Sequence, residues 1–428
     1  MAVMRTLYNI GLFLALLPHL PRVLRRAGRT EPFGLGLAER LGRYPETVTG
    51  RLHGKHPLWL HAVSVGEAVV ASILVSRLFS RRSGLPLLVS TVTATGRTVA
   101  AERIPQAEGH VYFPLDFPRF VDRALTAVAP RLVLLTEGEI WPNFLDACHR
   151  RGIPVLLING RVSQRSFRRC QLVKPMYRRV LARVGLFCMQ GEADAGRIIA
   201  LGAAPDRVVV TGNIKYDDET TTDQFPARLA ALARVLNGRP VWVAGSTHRG
   251  EEHPILVAFQ EVKKAAPESV LVLAPRHPER VPEVEGLLKE AHLPYVRRSA
   301  LGEPPGDLPS VILVDTMGEL GHLYALASVT FVGGSLVPAG GHNILEPARY
   351  RRPILFGPYM DNFAEVAEAF LGEGNPHQVR DASELAARVL ELLRNRGAAD
   401  RMGEAAYRVL TRNRGAADRT VTLIERYL

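Results

Sequence analysis

From residue 57 onward, short runs rich in Val and Leu alternate with longer amphipathic stretches, and the alternation occurs twice. The first series passes through "PLWLHAVSV", "LPLLVSTV", "GHVYFPL", "PRLVLLTE", "IPVLLING", "LFCMQ" and "RVVVTGN". The second restarts at "RPVWVAGST" and continues through "SVLVLAPR", "LPYVRR", "SVILVDT", "VTFVGGS" and "RPILFGP". Near-continuous apolar runs suit strands covered on both faces, and the helical stretches between them suit the crossovers of a parallel sheet. Between the series, "YDDETTTDQFPARL" is polar, Thr-rich and broken by Pro, the character of a linker. The expected fold class is α/β, with two doubly wound Rossmann-type domains. The expected boundaries are residues 1–28 for an N-terminal hydrophobic segment, 29–218 for the first domain, 219–226 for the linker and 227–428 for the second domain with its terminal helices. Ligands in such sheets sit beyond the carboxyl ends of the strands, so an interdomain cleft is the expected site.

Composition narrows the partners. The 428 residues carry a net charge of +12, which calls for a polyanionic partner: nucleic acid, anionic lipid or a phosphorylated substrate. Cys148, Cys170 and Cys188 are odd in number and lack C-x-x-C spacing, so neither a disulfide framework nor a zinc site is expected. His248 and His253 do not share a helical face, and no structural metal is expected. The opening "LYNIGLFLALLPHL" is apolar but shorter than the about 20 residues a spanning helix needs, and Arg22, Arg25, Arg26 and Arg29 follow it. It reads as a short membrane-anchor helix with the body of the protein on the cytoplasmic side; a buried first helix is the competing reading. Between Gly160 and Arg183 there are eight basic residues (Arg161, Arg165, Arg168, Arg169, Lys174, Arg178, Arg179 and Arg183) and no acid. With Phe167, Met176 and Tyr177 interspersed, the stretch suits phosphates and acyl chains; no recognised nucleic-acid module accompanies it.

Chemistry-bearing residues cluster where strands stop. In "HAVSVGEAVV", Glu67 falls in the first turn of a helix, where an acid either complements the helix dipole or faces a ligand. "STVTATGRTVA" suits a polar ligand or an ordinary N-cap. In "LTEGEIWPN", Glu137 and Glu139 leave a strand close together, and one of them is expected to face ligand. "GNIKYD" supplies Lys215, "AGSTHRGEE" a strand, a turn and a helix start, "APRHPER" Arg276 and His277, and "DTMGELGHLY" a further strand-to-helix loop. In "FVGGSLVPAGGHNILEPARY", Asn343 and Glu346 are three apart, expected on one helical face. Backbone donors there suit a phosphate, and Glu346 can accept hydrogen bonds from a ribose.

Taken together and in order, "HAVSVGE", "TEGEIWPN", "GNIKYD", "GSTHRGEE", "RHPER", "DTMGELGHLY" and "GGSLVPAGGHNILEPA" resemble the 3-deoxy-D-manno-octulosonic acid (Kdo) transferases of Gram-negative bacteria. The resemblance implies a metal-independent GT-B glycosyltransferase without a cofactor. Its donor would be CMP-Kdo and its acceptor the lipid A precursor (lipid IVA), at the cytoplasmic face of the inner membrane, with no nucleic-acid partner. It makes Glu67 the general base, with Glu137 and Lys215 supporting the transition state. Arg276, His277, Gly318, Glu319, Leu320, Asn343, Ile344, Leu345 and Glu346 would bind CMP. Gly138 stands where a larger residue is expected. Competing readings are a UDP-sugar transferase or epimerase of the same fold, and a non-catalytic basic membrane-binding protein.

Overall fold

The computed structural model describes residues 2–16, 33–218, 227–236, 238–301, 309–372 and 378–428. It divides into two compact units, Met1–Asp218 with Asn413–Leu428, and Glu219–Arg412. In the first unit the strands are β1 (Leu58–His61), β2 (Leu87–Thr91), β3 (Gly109–Tyr112), β4 (Leu132–Thr136), β5 (Val155–Gly160), β6 (Leu186–Met189) and β7 (Val208–Val210). They form one parallel sheet in the order β3-β2-β1-β4-β5-β6-β7. The winding direction therefore reverses between β1 and β4.

The apolar runs behave as strands buried on both faces. Trp59, Leu88, Val133, Leu135 and Leu157 pack into a core on one side of the sheet. Their chain neighbours Leu58, Leu60, Val89, Leu134 and Leu156 pack into a second core on the other. The alternation follows from side chains leaving a strand on opposite faces in turn.

The second unit repeats the plan with β8 (Val241–Thr247), β9 (Val270–Pro275), β10 (Tyr295–Arg297), β11 (Val311–Leu313), β12 (Val329–Val332) and β13 (Ile354–Phe356). This parallel sheet has the order β10-β11-β9-β8-β12-β13, with its reversal between β8 and β12. The Gly-Ser-Thr of "AGSTHRGEE", expected as a turn, is the end of β8, with Ser246 in the left-handed region at φ 56. Gly333 lies so close to Ser246 and Thr247 that an added Cβ would meet backbone atoms at 2.6 and 2.7 Å.

The terminal helices do not all stay with the second unit, contrary to the sequence-based boundary of 227–428. The helix Ala416–Ile424 belongs to the first unit, where Ala416, Ala417, Val421 and Ile424 join the core that contains Ala68, Leu74 and Ile214. Apolar periodicity announces such a helix but not which sheet it covers. The heptapeptide Asn-Arg-Gly-Ala-Ala-Asp-Arg occurs at 395–401 and again at 413–419, and the two copies fall at the starts of different helices, Arg396–Arg412 and Ala416–Ile424, with Gly415 at φ 90 just before the second.

At the other end, the helix Ala2–Leu16 is fastened to the first unit by polar side chains. Tyr8 donates its hydroxyl to Asp116 at 2.9 Å, and the Asn143 amide donates to Asn9 at 2.7 Å. Ile10, Phe13 and Leu14 remain exposed. Among the described residues no helix is long and apolar enough to cross a membrane. Arg22, Arg25, Arg26 and Arg29, and the linker 219–226, lie outside the described residues.

Candidate active site

Glu67 is placed by the turn that leaves β1. Ser64 starts the helix Val65–Arg81, and Glu67 folds back at its third position so that Val63 donates its N–H to Oε2 at 3.0 Å. The Ser64 hydroxyl donates to Oε1 at 3.3 Å. A helix-start role is thus real, since the carboxylate accepts an N–H just ahead of the helix, but the side chain is also only 8% exposed. Burial raises its pKa above the ordinary carboxylate range, against the hydrogen bonds it accepts, and the charge of Glu137 raises it further.

Thr136, at the end of β4, was not among the sequence-derived candidates. Its hydroxyl lies 2.5 Å from Glu67 Oε2 and 2.9 Å from the His61 carbonyl. One hydroxyl proton can serve only one acceptor at a time. With Glu67 ionised, the proton points to the carboxylate. With Glu67 protonated, Thr136 can turn to His61 and accept from the carboxyl, so both protonation states find a partner. β1 and β4 are the strands between which the winding reverses, the place where doubly wound sheets hold ligands.

The same strand end carries the other acids. Glu137 adopts φ 52, in the left-handed region that side chains avoid, and pairs with Lys215 at 3.0 Å. Backbone strain of this kind collects at functional sites and costs ~1–3 kcal/mol. Burial, then the charges of Glu67 and Glu137, push Glu139 up to about 7. Gly138 is unconstrained by packing, since an added Cβ would meet only the Arg161 carbonyl at 3.6 Å.

Lys215 sits on a short 3-10 turn, Ile214–Asp217, and a buried polar network fixes that turn. The Asn213 carbonyl oxygen Oδ1 accepts the Lys215 N–H at 3.0 Å, and Asn159 Oδ1 accepts the Ile214 N–H at 2.9 Å. Gln190 accepts from the Asn213 amide at 3.2 Å and donates to the Asn159 carbonyl at 3.0 Å. Asp217 accepts the N–H groups of Gly415 and Ala417, both at 2.6 Å, tying the turn to the terminal helix. Asn159, Gln190 and Asp217 lie far apart in sequence, and no single motif joins them. "STVTATGRTVA", in contrast, resolves to an N-cap: Thr93 accepts the Gly96 N–H at 3.0 Å.

In the second unit the expected nucleotide residues gather around the ends of β8, β9 and β12. Arg276 and His277 follow β9 directly, and the His277 ring stands 5.8 Å from that of His248, just past β8. Leu320 and Tyr324 pack over Gly245, where an added side chain would collide with both. Gly318 is exposed with φ 79, while Glu319 pairs with Arg298 at 3.2 Å. Asn343 does not lie on a helix beside Glu346, as its spacing suggested. It precedes the helix Leu345–Arg349, accepts the Leu345 N–H at 3.1 Å and places its amide 3.5 Å from Glu346. Ile344 and Leu345 are fully buried, so only their backbone can reach a ligand.

One expected anion cradle is already filled by the protein. The fully buried Glu251 accepts N–H groups from Gly334 at 2.6 Å, Ser335 at 2.9 Å, Leu336 at 2.8 Å and His248 at 2.8 Å. The Glu251 carboxylate therefore clamps the loops after β8 and β12 together. Replacing Glu251 with Ala leaves those donors without their acceptor, at ~1–3 kcal/mol for each one that stays buried. Urea unfolding of Glu251→Ala should show a loss of several kcal/mol; a loss below ~1 kcal/mol would mean that water or a ligand takes the carboxylate's place.

Comparison with known proteins gives the family and the fold. Residues 36–218 match the family model described as 3-Deoxy-D-manno-octulosonic-acid transferase (kdotransferase). A 3-deoxy-D-manno-octulosonic acid transferase of Haemophilus influenzae is 35% identical over 394 residues, covering 92% of this chain and 91% of that protein. The Bordetella pertussis protein of the same name is 34% identical, covering 90% of this chain and 89% of its own length. A putative UDP-N-acetylglucosamine 2-epimerase structure from Listeria monocytogenes covers 87% of this chain and 96% of its own with a TM-score of 0.61. At 14% identity that likeness speaks for the fold alone, two parallel-sheet units of the GT-B kind. Matched along nearly its whole length at this identity, the chain belongs to the 3-deoxy-D-manno-octulosonic acid transferases, a family of glycosyltransferases.

Proposed function

We propose that this protein transfers Kdo from CMP-Kdo to a hydroxyl of the lipid A precursor, lipid IVA, with inversion at the anomeric carbon. The observation that carries the reading is the buried Glu67 with its raised pKa at the switch point of the first sheet, beside the Lys215–Glu137 pair. Glu67 takes the proton of the attacking hydroxyl as the new glycosidic bond forms. The bond from the anomeric carbon to the CMP phosphate oxygen breaks, and its electron pair leaves with CMP. Lys215, held by Glu137 and Asn213, supplies positive charge where negative charge develops. The donor is held by the second unit, with Arg276 and His277 toward the phosphate and Asn343 and Glu346 toward the ribose.

Incubation of the protein with CMP-Kdo and lipid A precursor, followed by mass measurement of the lipid, tests this. The expected product is heavier by one or more Kdo residues. Transfer from UDP-sugars but not from CMP-Kdo would overturn it in favour of the UDP-sugar reading.

The enzyme works at an anionic membrane in this proposal, on the cytoplasmic face of the inner membrane. Support comes from two features of the first unit. Ile10, Phe13 and Leu14 are exposed on the N-terminal helix, and Leu172 and Val173 are exposed between the helices Gln164–Gln171 and Lys174–Leu181. Arg165, Arg168, Arg169, Lys174, Arg178 and Arg179 on that helix pair are exposed as well. Each basic side chain near an anionic surface contributes about 1 kcal/mol. Deleting residues 1–20 should weaken sedimentation with anionic vesicles and leave binding that salt abolishes; unchanged, salt-resistant binding would show that neither feature is the anchor.

A further inference from the structure

The second unit places two histidines where its sheet changes direction. His248 follows β8 and His342 lies on the loop after β12, the neighbouring strands at the reversal. Their Nε2 atoms are 2.8 Å apart, and the two rings meet end to end, with centroids 5.0 Å apart and planes inclined by 20°. A contact of that length requires a proton between the nitrogens, so one imidazole donates and the other accepts. The pair bridges the two stretches assigned to the nucleotide. Its His248 ring stands 5.8 Å from that of His277, and His342 immediately precedes Asn343. A Cβ added at Gly334 would meet the His342 ring at 2.9 Å and the His248 ring at 3.4 Å, so a side chain there would press on the pair.

We propose that His248 and His342 form part of the donor-anion site and that their shared-proton pair takes up a second proton when a phosphate or carboxylate enters beside Arg276 and His277. The inference rests on the donor reading above. Without an anion, the surroundings oppose a second proton: burial, then the charges of Arg276, His248 and His277, push His342 down to about 3. Burial, then His277, Arg276 and Arg280, lower His248, while Glu252 alone among its charged neighbours opposes them. Glu252 is itself committed to Arg280, which donates to it at 2.7 and 3.2 Å. Glu251 is occupied by backbone donors, so it does not serve the imidazoles. An incoming anion reverses this field and favours the imidazolium, whose N–H groups can then donate to it. Its own charge is thereby matched at the moment of binding.

Calorimetric titration of the full-length protein with CMP near pH 7, in buffers of different ionisation enthalpy, counts the protons exchanged. About half a proton or more should be taken up per CMP bound. The ligand cannot mimic this result: its phosphate has a second pKa of about 6, and cationic partners make it release protons, the opposite sign. Cytidine, without the phosphate, should bind with no uptake, and free Kdo reports whether a carboxylate alone triggers it. His248→Gln and His342→Gln should each abolish the uptake and weaken CMP binding. CMP binding by the wild-type protein without proton uptake, or uptake that survives in both folded variants, would overturn the inference. No CMP binding at all would instead overturn the donor reading, and this inference with it. The wild-type count needs no substitution, so it stands even where a variant does not fold.

Discussion

Glu67→Gln should lower turnover by ~10²–10⁴-fold, the usual contribution of a general base, while CMP binding is unchanged. Gln keeps an oxygen that can accept the Val63 N–H, so much of the helix-start geometry survives. It cannot accept the proton of an attacking hydroxyl. Stability separates this role from a purely structural one. Because burial raises the folded-state pKa of Glu67 above its unfolded value, its contribution to stability is fully present below the unfolded pKa and is lost as pH rises through the folded pKa. Gln carries no charge to bury, so at pH 8 the variant should melt within a few degrees of the wild type. Loss of a cap alone would cost ~1 kcal/mol of stability and leave turnover nearly intact. Retention of more than about a tenth of the rate would remove Glu67 from the base role and make Glu139, pushed up to about 7, the next residue to test.

Lys215→Met should cost ~10²–10³-fold in turnover, the scale set by losing one well-placed electrostatic donor in a water-poor site. A second signature distinguishes it from general damage. The lysine pairs with Glu137, whose charge raises the pKa of Glu67, so removing the cation leaves that repulsion uncompensated. The acidic limb of the pH–rate profile, where the base becomes protonated, should therefore move to higher pH. Glu137→Gln should move it the other way, because a like charge has been taken from beside Glu67. Shifts in the same direction for both variants, or none in either, would mean that the pair does not set the protonation of the base. Kinetic profiles between about pH 5 and 9, with donor KM recorded separately, decide the matter.

Much of the fold was legible because its signal is local. Apolar runs such as "PRLVLLTE" and "SVLVLAPR" are the length and composition of doubly covered strands, and they became β4 and β9. Family motifs likewise named Glu67, Glu137 and Lys215, which lie about 70 residues apart or more and yet meet at one switch point. What the sequence could not express is how a polar side chain divides its bonds. The backbone donors of "FVGGSLVPAGGHNILEPARY" read as suited to a phosphate, but those of Gly334, Ser335 and Leu336 are taken by the Glu251 carboxylate. Asn343 and Glu346 are spaced for one helical face, but the helix begins only at Leu345 and Asn343 spends its carbonyl oxygen capping it.

The sequence by itself determined the two parallel sheets, the strand ends that carry chemistry and the residue types placed there, because hydrophobic period and turn chemistry act over a few residues. Tertiary structure alone decided that Thr136 attends Glu67, that Asn159, Gln190 and Asp217 steady Lys215, and that the terminal helix returns to the first unit. Those outcomes depend on hydrogen bonds and apolar contacts between segments as much as 200 residues apart, as Asp217 and Ala417 are, and separations of that size leave no periodicity in the chain to read.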